Sequence, residues 1–212
     1  MPKSQTRRGS DGTPQTEIHD GPFTLPVIGI AASAGGLGAL STVIGALKPN
    51  FNAAILILQH LSATHPSHLA NILGRRTRLE VKEAATHDRL RQGVILTAPP
   101  GLHLLISPEG IVSFSHRPPV NHVRPAADRL FESIAQSFGP RSIAVVLTGT
   151  GRDGAKGAQV VKRAGGIVIV QDEATSEFFG MPSAAIRAGL VDQVLPLEAI
   201  APALEALTGG LN

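Results

Sequence analysis

Three side chains of the types that together perform acyl transfer each follow an apolar run of the sequence. Ser33 follows VIGIAA, His60 follows AILILQ, and Asp153 lies shortly after IAVVL. In such chemistry a serine attacks the acyl carbon, a histidine moves protons, and a buried carboxylate orients the histidine and stabilises its charged form. The three residues are far apart in the chain, so the chemistry requires a fold that brings the ends of these runs together.

Each of the three residues also has an ordinary structural explanation. Ser33 precedes the turn Ala34-Gly35-Gly36, and serine before a glycine-rich turn is a common helix N-cap, while such turns often bind phosphate. Asp153 could cap the helix that follows it, and His60 could be a hydrogen-bonded histidine at a strand end. The residues around Ser33 match neither G-x-G-x-x-G nor G-x-S-x-G, so this stretch alone decides nothing.

Continuous apolar runs alternate with helical patterns along most of the chain. VIGIAA, AAILIL, IAVVL and GIVIV lack polar alternation and predict strands that are covered on both faces. Between them, apolar residues recur at helical spacing, most clearly after Arg124-Pro125: Ala127, Leu130, Phe131, Ile134 and Phe138. We therefore predict an α/β fold with a doubly wound, mostly parallel sheet of the Rossmann-like kind. The carboxyl edge of such a sheet would collect Ser33, His60 and Asp153.

Other segments carry weaker signals. From Glu80 to Ser115, short extended pieces separated by glycine and proline predict an antiparallel hairpin region, inserted in the sheet or appended to it. The stretch Thr64-His65-Pro66-Ser67 predicts the start of a helix that runs to about Arg76. Residues 1–24 mix Gly, Pro, Ser, Thr and charged residues without periodicity, which predicts a disordered leader or linker before a domain at 25–212.

The composition limits the kinds of function. The chain has 212 residues, 42% of them hydrophobic, which is enough for one domain with a sizeable core. It has no cysteine, so disulfides and thiolate metal sites are excluded. The net charge of +3 is mild and aromatic residues make up only 3%, so stacking platforms for nucleic acid are scarce. No apolar run reaches the ~20 residues of a membrane span, and we predict a cytoplasmic protein without membrane insertion.

Neither a metal nor a cofactor is predicted. His65 and His68 are three residues apart on a predicted helix, but no third ligand is evident beside them, which favours surface histidines. The acyl-transfer chemistry outlined above requires no cofactor.

Several blocks of the sequence resemble the catalytic domain of chemotaxis protein-glutamate methylesterases (CheB-type). The resemblance runs in order from about Leu25 to Leu207 and rests on VIGIAASAGG, Gln59-His60, LTGTGRDGAKG and QDEATSEFFGMPSAAIRAGLVDQVLP. In that family the matching serine, histidine and aspartate form the catalytic triad, which implies this role for Ser33, His60 and Asp153.

The resemblance also implies a substrate and further site residues. The substrate would be a glutamyl methyl ester on the cytoplasmic helices of a chemoreceptor, with methanol as the leaving group and glutamine deamidation as a second activity. The backbone N–H of Ala34 is the first candidate donor to the oxyanion, and the turn containing Thr150 is the second. From the residues alone, Met181 is a candidate for the substrate rim, in a loop with Glu173 and Glu177; capping of the helix that follows at Pro182 is an equally good account of this loop. The loop 117–124 either contacts substrate or forms a structural turn.

Three departures from the family pattern stand out. Ala34 occupies a position where threonine is common, and Thr150 one where methionine is common, so rate or substrate fit would differ while the triad is kept. Family members commonly carry an N-terminal receiver domain that is phosphorylated, and residues 1–24 are too few to encode one. Two other functions remain open: a nucleotide- or phosphate-binding module that uses the glycine-rich turns, and a catalytically silent adaptor that binds receptor helices.

Overall fold

A parallel sheet forms the centre of the protein. The computed structural model describes residues 23–60 and 67–209, and within them the sheet has seven strands out of nine. The strands are β1 (Val27–Ala32), β2 (Ala54–Gln59), β3 (Glu80–Glu83), β4 (Val94–Thr97), β5 (His103–Ile106), β6 (Val112–Ser115), β7 (Ser142–Val146), β8 (Ile167–Gln171) and β9 (Gln193–Leu195). The order in the sheet is β3-β4-β2-β1-β7-β8-β9, and every pairing in it is parallel.

Helices cover both faces of this sheet. They are α1 (Gly36–Gly45), α2 (Leu69–Gly74), α3 (Ala127–Phe138), α4 (Ala155–Arg163), α5 (Gly180–Ala188) and α6 (Leu197–Gly209). One apolar core joins the sheet to α1, α2 and α6, and a second joins the opposite face to α3, α4, α5 and the β5–β6 hairpin. β1 and β2 are buried along their whole length, which explains their uninterrupted apolar sequences. The predicted doubly wound α/β fold is confirmed.

The strand order defines a switch point in the middle of the sheet. Within the described residues, the chain enters the sheet at β1, moves outward on one side through β2, and later returns to the other side of β1 as β7. In sheets of this kind the crevice at the carboxyl ends of such neighbouring strands is the usual place for a ligand. Ser33, His60 and Asp153 follow β1, β2 and β7 respectively, so all three lie at this crevice.

The segment from Glu80 to Ser115 was predicted to be an antiparallel hairpin region, and this is only half right. β5 and β6 do form a separate antiparallel sheet, but β3 and β4 are parallel strands that extend the main sheet beyond β2. β3 has no buried residue, so its sequence EVKE lacks the apolar run that identifies an interior strand.

Two predicted segments lie partly outside the described residues. The helix predicted from Thr64 to about Arg76 is observed as α2, which ends at Gly74, and residues 61–66 lie outside the described residues. Residues 1–22 of the predicted leader also lie outside them, so the boundary at 24 stays a prediction. Phe23 packs edge-on against Phe138 with ring centroids 6.0 Å apart. In the described part of the chain, no helix has the length and apolar character needed to cross a membrane.

Candidate active site

The ends of β1 and β2 place Ser33 and His60 side by side. The last residue pair of the parallel register is Ala32 with Gln59, and the N–H of His60 donates to the carbonyl of Ala32 at 3.1 Å. On the other side, the N–H of Ser33 donates to the carbonyl of Thr148, just after β7, at 3.0 Å. Ser33 is therefore held between the ends of the two flanking strands.

Strand alternation sends both side chains to the same face. Ala31 and Leu58 belong to the core shared with α3, and the residues two positions further on, Ser33 and His60, continue that side of the sheet. Within the described residues, Ser33 makes no hydrogen bond to His60 through its hydroxyl. Contacts of this kind are often loose before a substrate binds.

His60 forms a direct hydrogen bond with Asp153. The distance from His60 Nε2 to Asp153 Oδ2 is 2.8 Å, and the side chains are only 12% and 3% exposed. The Asp153 carboxylate also accepts backbone N–H bonds from Ala127 at 2.6 Å and from Asp128 at 3.2 Å. Since these two residues begin α3, Asp153 lies at the amino end of that helix and satisfies two N–H groups that have no partner within it.

This geometry excludes two of the structural explanations given above, namely that Ser33 and Asp153 each cap the helix that follows. The N-cap residue of α1 is Gly35, without a side-chain cap, so Ser33 is not a helix cap. The N-cap of α4 is Gly154, again without a side-chain cap, so Asp153 does not cap the helix that follows it. Asp153 instead caps α3, a helix that precedes it in the chain, and it does so while bonded to His60.

The glycine-rich turn after Ser33 has two separate requirements. Gly35 has φ = 74°, in the left-handed region that disfavours side chains with a Cβ. Gly36 has an ordinary φ, but an added Cβ would overlap the Oε1 atom of Gln59. The Nε2 of Gln59 donates to the carbonyl of Ser33 at 2.6 Å, so the close approach at Gly36 allows Gln59 to hold the turn.

Two further polar side chains tie the loops of the site together. Thr148 Oγ1 donates to the carbonyl of Ala34 at 3.1 Å and accepts from the N–H of Phe178 at 2.8 Å. Gln171 Oε1, at the end of β8, accepts the N–H of Thr148 at 2.8 Å. No role is predicted from the sequence for Gln59, Thr148 or Gln171, although a polar residue at the end of a buried strand is also the signal that identifies His60.

The candidate oxyanion donors lie in the expected turns. Neither the N–H of Ala34 nor that of Thr150 donates a hydrogen bond to any described residue. Met181, predicted to lie at the substrate rim, is instead fully buried, because its side chain packs into the core under the site and its Sδ lies against Gly149. Its N–H donates to the carbonyl of Gly149 at 2.8 Å, so Met181 supports the turn from below.

A cavity of about 280 Å³ opens beside His60, lined also by Gly101 and residues of the loop 119–125. Asp128 is buried, and its carboxylate accepts the N–H of Gly157 at 2.8 Å and the amide N–H of Asn121, a residue of this loop, at 3.1 Å. Burial raises the pKa of Asp128 above its ordinary value, despite the N–H bond from Gly157. The described residues contain no group of three or more histidines and carboxylates that could hold a metal ion.

The fold and the site define an α/β protein with a serine and a histidine–aspartate pair at the switch point of a parallel sheet. The chain belongs to the CheB methylesterase family, whose sequence model matches residues 28–204. The resemblance noted in the sequence is therefore confirmed.

Known proteins similar to this chain agree with that assignment. It is 47% identical over 184 residues to protein-glutamate methylesterase/protein-glutamine glutaminase 2 of Anaeromyxobacter dehalogenans, covering 87% of this chain and 54% of that protein. It is 42% identical over 183 residues to protein-glutamate methylesterase FrzG of Myxococcus xanthus, covering 86% and 55%. The crystal structure of the Thermotoga maritima CheB methylesterase catalytic domain matches with a TM-score of 0.83 and 37% identity, over 87% of this chain and 100% of that one. The chain spans about half the length of the curated relatives it matches.

Proposed function

We propose that this chain is a serine hydrolase that removes methyl groups from glutamyl methyl esters on the cytoplasmic helices of a chemoreceptor and also deamidates glutamine there. The observation that carries the proposal is the 2.8 Å hydrogen bond between His60 and Asp153, next to Ser33 at the switch point. The names of the relatives, protein-glutamate methylesterase and protein-glutamine glutaminase, support the same substrates. The reaction would take place in the cytoplasm, where those receptor helices lie.

The hydrogen bond to Asp153 supports separate roles for the two nitrogens of His60. A carboxylate can only accept a hydrogen bond, so the neutral ring carries its proton on Nε2 and has its lone pair on Nδ1. Nδ1 is therefore the nitrogen that accepts the proton of the Ser33 hydroxyl. Once both ring nitrogens are protonated, the buried charge of Asp153 stabilises the imidazolium.

The reaction then runs in two acyl-transfer steps. Ser33 Oγ attacks the ester carbonyl, His60 takes its proton, and the same proton leaves with methanol as the acyl-enzyme forms. Water, deprotonated by His60, attacks the acyl-enzyme, and the glutamate carboxylate and the free serine are released. With a glutamine substrate the same sequence expels ammonia instead of methanol.

The negative oxygen of each tetrahedral intermediate requires hydrogen-bond donors. The N–H of Ala34 follows the nucleophile directly in the turn that precedes α1, and the N–H of Thr150 belongs to the facing turn after β7. Both donors are unused within the described residues, which supports their assignment to the oxyanion. The loss of one such donor typically lowers kcat by about 10²- to 10³-fold.

Methanol release from a methylated receptor fragment tests the proposal. Wild-type protein should release methanol, and Ser33→Ala should release none above the uncatalysed rate. Ser41→Ala is the matched control, because it removes a serine hydroxyl that bonds only within α1. Retained turnover in Ser33→Ala would remove Ser33 from the mechanism. A wild-type protein that binds the methylated fragment without hydrolysing it would instead be a silent adaptor.

A further inference from the structure

The loop 116–125, here called the flap, forms one wall of the cavity beside His60. At its tip, Val120 and Val123 exchange two backbone hydrogen bonds of 3.1 and 3.0 Å. The two residues between them, Asn121 and His122, have φ values of 51° and 67°, the left-handed pair that a tight two-residue turn requires. The tip is therefore a closed turn with a defined shape.

Side chains from three other places anchor the flap. Asn121 donates to Asp128 at 3.1 Å and accepts from Arg152 Nε at 3.1 Å. The buried His103 accepts the N–H of Ala126 on Nδ1 at 3.2 Å, so its Nε2 carries the proton and donates to the carbonyl of Pro118, also at 3.2 Å. These contacts fix both the tip and the base of the flap.

Arg124 presents a positive charge in this wall. Its Nη1 donates to the carbonyls of His116 and Arg117, at 3.1 and 3.3 Å, which fixes the guanidinium in place. Within the described residues, Arg124 makes no ion pair, and no carboxylate lines the cavity, which His122 also borders. Arg124 lines the cavity, and only its Nη1 is used by neutral carbonyls, so the rest of the guanidinium keeps N–H donors available for an anion from outside the chain.

We propose that Arg124, in the cavity wall beside His60, binds a carboxylate side chain of the substrate that lies one helical turn from the methyl ester. The inference rests on the proposed function, since it names a second contact made by the same substrate. The reacting carbonyl must lie next to Ser33 and His60, and His60 lines the same cavity as Arg124. On a helical substrate, residues three or four positions from the ester lie on the same face and at about 5–6 Å, within reach of this cavity. Arg124 is thus a specificity-determining residue.

Two synthetic helical peptides test this assignment. Both carry a central glutamyl methyl ester, and they differ in having Glu or Ala at the positions three and four residues before and after it; Ala is used because glutamine is itself a proposed substrate. With wild-type protein, KM for the acidic peptide should be about 5- to 20-fold lower than for the neutral one, as expected for a partly exposed charge-assisted pair. In Arg124→Gln the two KM values should converge, with kcat changed less than about threefold, and 0.5 M salt should shrink the wild-type difference.

Two further variants control this comparison. Arg163→Gln removes an exposed arginine at the far end of α4 and should keep the wild-type preference. Arg124→Lys keeps the positive charge and should keep part of the preference for the acidic peptide. This variant separates loss of charge from loss of folding.

The outcomes distinguish this inference from the proposed function. Equal KM values for the two peptides, with hydrolysis intact, would overturn the role of Arg124 and leave the esterase assignment standing. No hydrolysis of either peptide would refute the esterase assignment. Fluorescence-anisotropy binding of both peptides to Ser33→Ala compares them without turnover, and equal affinities there would also overturn the role of Arg124.

Discussion

Asp153→Asn separates the two tasks that the structure gives to this carboxylate. Asp153 accepts hydrogen bonds from the N–H groups of Ala127 and Asp128 and from the ring of His60. An amide has one acceptor oxygen where the carboxylate has two. Whichever way the amide is turned, one of the two backbone N–H groups at the start of α3 then faces an NH₂ group.

The size of the stability loss follows from those contacts. Leaving one buried donor unsatisfied costs about 1–3 kcal/mol, and removing a negative charge from a helix N-terminus costs about 0.3–1 kcal/mol more. Together these terms predict a loss of about 1.3–4 kcal/mol, or a fall in Tm of about 3–16 °C for a domain of this size.

Activity should fall for a different reason. With the amide oxygen toward His60, the tautomer survives but the charge that stabilises the imidazolium is lost. With the NH₂ group toward His60, the ring proton moves to Nδ1, the nitrogen that must accept the Ser33 proton. Either way kcat should fall by about 10²- to 10⁴-fold, the upper value being that of the corresponding change in a serine protease.

The assay measures methanol release well below the Tm of each variant, with thermal unfolding followed by circular dichroism. Asp88→Asn is the matched control, since the Asp88 carboxylate also accepts a backbone N–H, from Ala85 at 2.8 Å, together with Lys82 Nζ at 2.7 Å. It should lose stability and keep kcat. If Asp153→Asn lowered Tm but kept kcat within about threefold of wild type, Asp153 would be only a cap for α3, and the reasoning would be refuted.

Two other substitutions have defined outcomes. Burial raises the pKa of Asp128, so the unfolded chain ionises first, near 3.8, and native Asp128 ionises only at higher pH. This ionisation destabilises the native state as pH rises. Urea unfolding should therefore show the free energy of unfolding of wild type falling relative to that of Asp128→Asn between pH 4 and pH 7. If the two free energies changed in parallel with pH, this prediction would be wrong. Gly36→Ala should cost about 1–3 kcal/mol because its Cβ overlaps the amide of Gln59, and Gln59→Ala in that background should recover part of the loss.

The interior strands of the sheet could be predicted from the sequence because each is a continuous apolar run. β1, β2, β7 and β8 are apolar along most of their length, and their helical connections are long enough for parallel pairing. β3 and β4 were assigned wrongly because each has four residues and β3 is an edge strand with no buried side chain. Their partners are decided by the sheet as a whole, which a local pattern does not show.

Less of the candidate active site could be predicted from the sequence. The end of each buried strand identified Ser33 and His60, and the turn after β7 identified Asp153. The attachment of Asp153 to α3 could not be predicted, because it joins residues more than 20 positions apart through backbone N–H groups, which every non-proline residue has. The sequence predicts Met181 in a loop because it stands between glycine and proline, but it lies in the first turn of α5, where its side chain is buried.

The contacts of α3 explain why Arg124 and Asp153 should affect different kinetic constants. The N–H groups of Ala127 and Asp128 hold the Asp153 carboxylate, and the Asp128 side chain holds the flap tip through Asn121. The first turn of α3 therefore connects the histidine–aspartate pair to the flap tip. The guanidinium of Arg124 is outside this connection, because its partners are the carbonyls of His116 and Arg117 at the base of the flap. Its removal should weaken substrate binding, while His60 and Asp153 keep their geometry and kcat is preserved.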